Sequence, residues 1–215
     1  PANIIGGAIY VDTNSGKVKE HNDYTVFTLA LNDSEGNLYI PAVERGKWDP
    51  EELLTKAEEL WAKWNSIIPS TMRFKLRYMS VEDKQAGQGL IQTLQRKNKI
   101  PIHSVQRGSE QNKYARHCNT QPTMKMGKIY LPRTYTDDGV KIAMSSWIGG
   151  FEGYSNDWVV PFLSELDSVT IGVLMDQESG YDDQYDTLMD AVEDLIINGQ
   201  SALTSALAAR RARRK

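Results

Sequence analysis

The first half of the chain alternates short apolar, β-branched runs with clusters of turn-forming residues. Residues 4–11 form one such run, which ends at Asp12. Residues 24–31 form a second, and a turn rich in Asn, Asp and Gly separates it from residues 38–40. Runs of this length bounded by turn residues are typical of β-strands, and two of them joined by a short turn form a hairpin. The pattern therefore predicts a strand that ends at an acid, followed by a β-hairpin.

Helical spacing begins after the hairpin. Asp49 and Pro50 are a typical helix start, and apolar side chains then recur every three or four residues over residues 53–64. The order of the elements predicts an α/β fold with a mixed central sheet and helices on both faces. The remaining predicted elements are strands at residues 72–79, 100–105 and 128–132, helices at residues 88–97, 111–121, 158–166 and 181–197, and hairpin and loop at residues 133–157.

Bulk composition adds few constraints. The chain has 215 residues, a formal charge of −3 and 40% hydrophobic residues, which suits one principal soluble domain. We expect this domain at residues 1–198, followed by an Ala- and Arg-rich tail at residues 199–215. Because no apolar run is long enough to span a membrane and Cys118 is the only cysteine, we expect a cytosolic protein with no disulfide and no membrane partner.

Carboxylates stand at three places where a predicted element ends or begins. They are Asp12 after the first strand, Glu82 and Asp83 after the fourth, and Asp182, Asp183 and Asp186 at the start of the last helix. Because adjacent parallel strands lie about 4.8 Å apart, acids at their ends can converge within reach of one divalent ion. Such a cluster is unfavourable without a counter-ion, and oxygen-only ligands suit Mg²⁺ or Mn²⁺. Two such ions would serve phosphodiester hydrolysis.

A structural role is open for each of these acids taken singly. Asp12 could cap a turn, and Glu82 with Asp83 could begin the next helix. Asp182 and Asp183 suit a helix N-terminus because of its dipole. Only the joint placement of the acids favours a metal site, and the residues alone leave both interpretations open.

Several short pieces of sequence occur together in the order seen in one protein family. They are residues 9–12 and 22–25, residues 81–88 leading into 90–92, residues 112–116, 127–132 and 162–166, and residues 181–186. Over roughly residues 8–197 the chain resembles the nuclease domain of the large terminase subunit of tailed bacteriophages and herpesviruses, which cuts concatemeric DNA during genome packaging. The resemblance implies an RNase H-like fold, two-metal hydrolysis and little dependence of the cut on DNA sequence.

The resemblance also implies roles for individual acids. The implied catalytic carboxylates are Asp12, Glu82 and Asp183, and the implied ligands of two Mg²⁺ or Mn²⁺ ions are the same three residues with Asp182. The implied auxiliary acids are Asp23, Asp83 and Asp186. Asp23 could equally cap the entry to the hairpin, and Asp83 is the fallback for Glu82.

Two features depart from the family pattern. Tyr181 stands where a histidine often precedes the paired acids, so no histidine role is expected there. The glycine-rich phosphate loop of the family's ATPase is absent from the sequence, and the chain starts at Pro1, which suggests an excised domain.

Cations around the acids would hold the DNA backbone, although solvated surface charge is the alternative for each. The candidates are Lys84, Lys113, Arg116 and Lys128, followed by Lys125 and Arg133. The partners implied by the resemblance are double-stranded DNA, the terminase ATPase domain, the small terminase subunit and the portal, in the host cytoplasm. Two alternatives remain open at this point: a resolvase or RNase H with the same acidic layout, and a non-catalytic module that docks onto a portal.

Overall fold

The computed structural model describes residues 3–13, 24–68, 74–84, 86–108, 112–132 and 157–199, which contain six strands and six α-helices. The strands are β1 (Ile4–Asp12), β2 (Thr25–Asp33), β3 (Leu38–Gly46), β4 (Met79–Glu82), β5 (Ile102–Val105) and β6 (Ile129–Tyr130). The helices are α1 (Pro50–Ile67), α2 (Ala86–Lys97), α3 (Lys113–Met124), α4 (Val159–Ser168), α5 (Ile171–Leu174) and α6 (Asp183–Ala191), and α6 continues as a π-helical segment, Val192–Asn198.

The strands form one mixed sheet in the order β5-β4-β1-β2-β3-β6. The first three strands are antiparallel neighbours, whereas β4 and β5 run parallel to β1, and β6 runs parallel to β3. Val11 lies beside Val81, and Glu82 lies beside Val105. The C-terminal ends of β1, β4 and β5 therefore lie together at one end of the sheet, where β2 also begins. We call it the carboxyl edge.

The sheet is buried on both faces. On one face Ile9 and Phe27 belong to an apolar cluster with Trp64 of α1. On the other face Val26 belongs to a second cluster, with Leu188 of α6. Successive side chains of a strand point to opposite faces, so two separate apolar layers can form around the same strands. The predicted mixed sheet with helices on both faces is thereby confirmed.

The largest difference from the sequence prediction concerns β4. The sequence predicts a strand at residues 72–79; residues 72 and 73 lie outside the described ranges, and among residues 74–79 the strand begins only at Met79. The amide of Met79 donates to the carbonyl of Pro101 at 2.8 Å. Because Pro101 has no N–H to donate in return, the hydrogen bonds between β4 and β5 do not continue past this point. The apolar alternation therefore extends beyond the paired strand. The short helix α5 and the π-helical segment were also not predicted.

Several expectations fall on residues outside the described ranges. They include Asp23, Arg133, the hairpin and loop expected within residues 133–156, and residues 200–215 of the expected tail. Among the described residues, no helix is both long enough and apolar enough to cross a membrane.

Candidate functional site

Acids from three distant segments meet at the carboxyl edge. Asp12 ends β1 and Glu82 ends β4, and the register of these parallel strands carries the two residues side by side. Asp183 opens α6, and its Oδ2 accepts a hydrogen bond from the Tyr24 amide at 3.1 Å. Because Tyr24 directly precedes β2, this bond ties the start of the helix to the same edge. Asp12, Glu82 and Asp183 therefore lie at the same end of the sheet.

Asp12 carries the electrostatic signature of a crowded acidic site. Burial raises its pKa well above the usual range, and the carboxylates of Asp186, Asp183 and Glu82 raise it further. The ammonium of Lys113 acts in the opposite direction without cancelling the increase. Like charges at short range disfavour ionisation of one another, so a cation placed beside Asp12 would relieve repulsion.

A chain of alternating charges runs beside Asp12. Successive members are joined by ion pairs with N to O distances of 2.5 to 3.2 Å. In order, they are Lys84, Glu82, Arg107, Asp190, Arg116, Asp186, Lys113 and Asp182. We call this set the charge ladder. It contains as many cations as acids, whereas Asp12 and Asp183 are carboxylates outside it.

The centre of the charge ladder is buried. Arg116 is only 5% exposed and binds Asp186 at 2.6 Å and Asp190 at 2.7 Å. Burial raises the pKa of Asp190 to about 6, although Arg107 and Arg116 act to lower it. Buried charges of this kind are tolerated only with well-placed partners, so each ladder residue depends on its neighbours.

The spacing of α6 explains how one helix supplies several of these acids. Asp182, Asp186 and Asp190 are separated by four residues each and therefore share one helical face. The next residue in this series, Asp194, lies in the π-helical segment and accepts hydrogen bonds from the hydroxyls of Tyr10 and Tyr78. The start of α6 is thus directed to the carboxyl edge and its continuation is fastened to the sheet.

A tight turn after β4 fixes Glu82. The amide of Gly87 donates to the carbonyl of Lys84 at 2.8 Å, and a Cβ at Gly87 would lie 2.1 Å from the Glu82 carbonyl oxygen. Any side chain at this position would therefore push Glu82 away from the edge. Asp83 turns towards β5, where Gln106 donates to its carboxylate at 2.9 Å. This orientation favours Glu82 over Asp83 as the acid of the site.

One known protein family matches the chain over most of its length. Residues 9–195 match the model of the terminase RNase H-like domain family, and the match spans Asp12, Glu82 and Asp183. The chain belongs to this family of terminase nuclease domains. Its fold is RNase H-like. No curated protein and no solved structure shows significant similarity to it.

The terminase domain distributes the predicted DNA-binding cations unevenly. Lys84 and Lys113 lie at the carboxyl edge, where each pairs with an acid of the charge ladder. Arg116 is buried between two acids, so its placement indicates a structural role within the ladder. Lys128 donates to the backbone carbonyl of Glu35, beside the β2–β3 turn at the opposite edge. Its position does not support contact with DNA held at the acids.

The ligand chemistry of the acids in the terminase domain suits a hard divalent ion. The set is composed of carboxylate oxygens, which Mg²⁺ and Mn²⁺ prefer, and the raised pKa of Asp12 marks a place where a cation would lower repulsion. In the ranges that the structure describes, no three His, Cys, Asp or Glu side chains stand together as a ready metal-binding group. The reason lies in the ladder, because Glu82 and Asp182 are directed to Lys84 and Lys113.

Sequence reasoning missed three residues that organise this site. Arg107 and Asp190 form the middle of the charge ladder, and Glu165 of α4 binds the first turn of α6. The four-residue spacing from Asp182 to Asp190 was a usable signal for the second of these. For Arg107 the only signal was its position two residues after β5, a strand that ends at the carboxyl edge.

Proposed function

We propose that this terminase nuclease domain is a metal-dependent endonuclease that cuts double-stranded DNA, with concatemeric viral DNA as its substrate during genome packaging. The observation that supports it best is the convergence of Asp12, Glu82 and Asp183 on the carboxyl edge. A shared chemical task would explain why residues from three separate segments lie together. A purely structural use of the same acids would not require that the carboxylates of Asp183 and Glu82 raise the pKa of Asp12.

The proposed ligands are Asp12 and Asp183, together with Glu82 after it exchanges Lys84 for the ion, and Asp182 as a helper. When bound, two Mg²⁺ or Mn²⁺ ions would activate a water for attack on the phosphodiester and stabilise the departing 3′ oxygen. The protein's own contribution is to hold the carboxylates at fixed positions, since β1 and β4 are both buried in the sheet. No side chain has to form a covalent bond to the DNA.

Lys84 and Lys113 are the proposed phosphate contacts. Both already lie at the carboxyl edge, and both pair with acids that ions would otherwise neutralise. Phosphate groups brought close to the acids would offer these ammonium groups an alternative partner. By family membership we further propose the terminase ATPase, the small terminase subunit and the portal as partners, in the cytoplasm of a host cell.

The proposal is tested with supercoiled plasmid incubated with the domain and MnCl₂. We expect nicked and linear products, and we expect Asp12→Asn to reduce cleavage to the level seen with EDTA. Asp167→Asn is the matched control, because Asp167 is exposed on α4, and this variant should cut like the wild type. Wild-type activity from Asp12→Asn would refute the proposal, and cleavage of RNA–DNA hybrids or junctions in preference to duplex DNA would point to an RNase H or a resolvase.

A further inference from the structure

The first turn of α6 is capped from another element. A helix normally has its N2 and N3 amides satisfied by the side chain of its N-cap residue, and Asp is among the best residues for this role. The N-cap of α6 is Asp182, yet its side chain makes no capping bond. The carboxylate of Glu165 in α4 accepts instead, from the Gln184 amide at 2.6 Å and from the Tyr185 amide at 3.4 Å. These are the N2 and N3 positions.

Glu165 is built into this place. It is 6% exposed, it also accepts from Nε2 of Gln184 at 2.7 Å, and Arg45 of β3 lies 3.4 Å from its Oε2. A buried carboxylate with these partners has little freedom to leave the helix terminus. A buried acid from another helix therefore makes the capping bonds that the adjacent Asp182 could make by itself.

Two carboxylates at the helix start are available for other contacts as a result. Asp182 accepts from Lys113 at 2.7 and 2.8 Å, and Asp183 accepts from the Tyr24 amide. Both contacts direct the acids to the carboxyl edge rather than back onto their own helix. Without Glu165, the unpaired amide donors of the first turn would attract the carboxylate of the N-cap residue, Asp182.

We propose that Glu165 is a positioning residue for the metal site: it takes over the cap of α6 so that Asp182 and Asp183 stay directed at the carboxyl edge. The inference rests on the proposed function, because it is divalent ions that these acids would bind there. Glu165 itself touches neither the ions nor the DNA.

The chain contains a matched control for this idea. Helix α1 is capped in the ordinary way, with Asp49 at the N-cap accepting from the N2 and N3 amides of Glu51 and Glu52 at 2.9 Å each. Asp49→Ala therefore removes the same two capping bonds as Glu165→Ala, from a helix that contributes no acid to the site. The loss of a helix cap by itself would lower the stability of both variants and leave Mn²⁺ binding unchanged in both.

The experiment measures Mn²⁺ binding by calorimetry and thermal unfolding for the wild type, Glu165→Ala, Glu165→Gln and Asp49→Ala. We expect both alanine variants to lower Tm, Glu165→Ala by more because it also loses its contacts with Gln184 Nε2 and Arg45, but only Glu165→Ala to weaken Mn²⁺ binding, by about tenfold or more. Glu165→Gln keeps a carbonyl oxygen for the Gln184 amide and should retain most of the affinity. If Glu165→Ala does not fold, Glu165→Asp, which is one methylene too short to reach the amides, replaces it with the same expected loss.

A crystal structure of metal-free Glu165→Ala, or of its replacement, separates this inference from the proposed function. We expect the Asp182 carboxylate to leave Lys113 and to accept from the Gln184 and Tyr185 amides. If Asp182 keeps its contact with Lys113, or if Mn²⁺ affinity is unchanged, the positioning role of Glu165 is refuted. If the wild type shows no Mn²⁺ binding that depends on Asp12, the proposed function fails, while the crystal structure still decides where Asp182 points.

Discussion

Lys113 Nζ lies 2.8 and 2.7 Å from the two carboxylate oxygens of Asp182, at the place where the family resemblance puts a metal ligand. The same ammonium is 3.1 Å from Asp186. Burial alone would lower the pKa of Lys113, but Asp186 and Asp182 raise it above the usual range, so the group stays charged. A side-chain cation thus neutralises part of the acidic cluster and would compete with a divalent ion for it.

Replacing Lys113 by Met should strengthen Mn²⁺ binding in the absence of DNA. Removing one positive charge a few ångströms from the acids increases their attraction for the ion, by up to about tenfold in affinity. Calorimetric titration with MnCl₂ measures the effect. Lys56→Met, on α1, is the control and should leave the affinity unchanged, since Lys56 pairs with its helix neighbour Glu59 and lies over the Trp48 ring. A weaker affinity in Lys113→Met would show that the ammonium organises the acids rather than competing with the ion.

Asp12→Asn should stabilise the metal-free domain while abolishing its binding of Mn²⁺. The Asp12 carboxylate is held among other acids, and its raised pKa means that its charge opposes folding at neutral pH. Neutralising it should raise the free energy of unfolding by on the order of 1 kcal/mol, as measured by urea denaturation at pH 7.5 in EDTA. A less stable Asp12→Asn would mean that the carboxylate has favourable contacts that outweigh this repulsion.

Arg116→Lys should be strongly destabilising even though it keeps the charge. The planar guanidinium of Arg116 bridges Asp186 and Asp190 at the buried centre of the charge ladder, and an ammonium cannot match both geometries. Leaving a buried carboxylate poorly paired should cost about 2 to 4 kcal/mol. Chemical denaturation compares it with Lys97→Met, which breaks the surface pair with Glu58 and should change stability by less than about 0.5 kcal/mol. Similar losses in the two variants would argue against a structural ladder.

Stability of the metal-free domain should fall as the pH rises from 5 to 7. The pKa of Asp190 is about 6 in the folded protein, because burial raises it from the ordinary value of 3.8. Since the folded state holds this proton more tightly than the unfolded state, the stabilisation is complete below about pH 4 and is lost as the pH rises through 6. The expected loss is roughly 1 to 3 kcal/mol, and Asp12 acts in the same direction.

Urea midpoints at pH 5 and pH 7, in EDTA, measure this dependence. The opposite contribution of Asp33, whose pKa is lowered, is already complete below this window, and the lowered pKa of His117 opposes the fall within it but is outweighed by Asp190 and Asp12 together. Asp190→Asn should flatten the profile, although its absolute stability falls because Arg107 and Arg116 lose a partner. A profile that rises between these two pH values would contradict the assignment.

The positions of the acids were predictable from the sequence because they depend on where elements end. Asp12 follows a β-branched apolar run and Glu82 follows an alternating apolar run, and strands that run parallel bring such ends together. Asp183 was placed by its position at the start of a long amphipathic helix. Backbone geometry fixes where the acids lie relative to one another, and the local sequence is sufficient to predict where each strand or helix ends.

The partners of the acids were not predictable in the same way. Arg107 reaches Asp190 across 83 positions in the sequence, and Glu165 caps an amide 19 positions away. Such contacts depend on how whole helices pack on the sheet, which no local pattern encodes. Arg116 was expected to contact DNA for a related reason, since a charged residue in a polar helix gives no sign that it faces inward.

The charge ladder also constrains how the domain can change over evolutionary time. Each interior member has a neighbour on both sides, so a single substitution at Asp190 removes one of the two carboxylate partners of Arg107 and one of the two of Arg116. Tolerated changes should therefore arrive as compensating pairs, with strongly non-additive effects between adjacent members. A single member of the ladder therefore cannot be replaced without affecting its neighbours. Divergent relatives should carry sets of substitutions that replace several ladder members together.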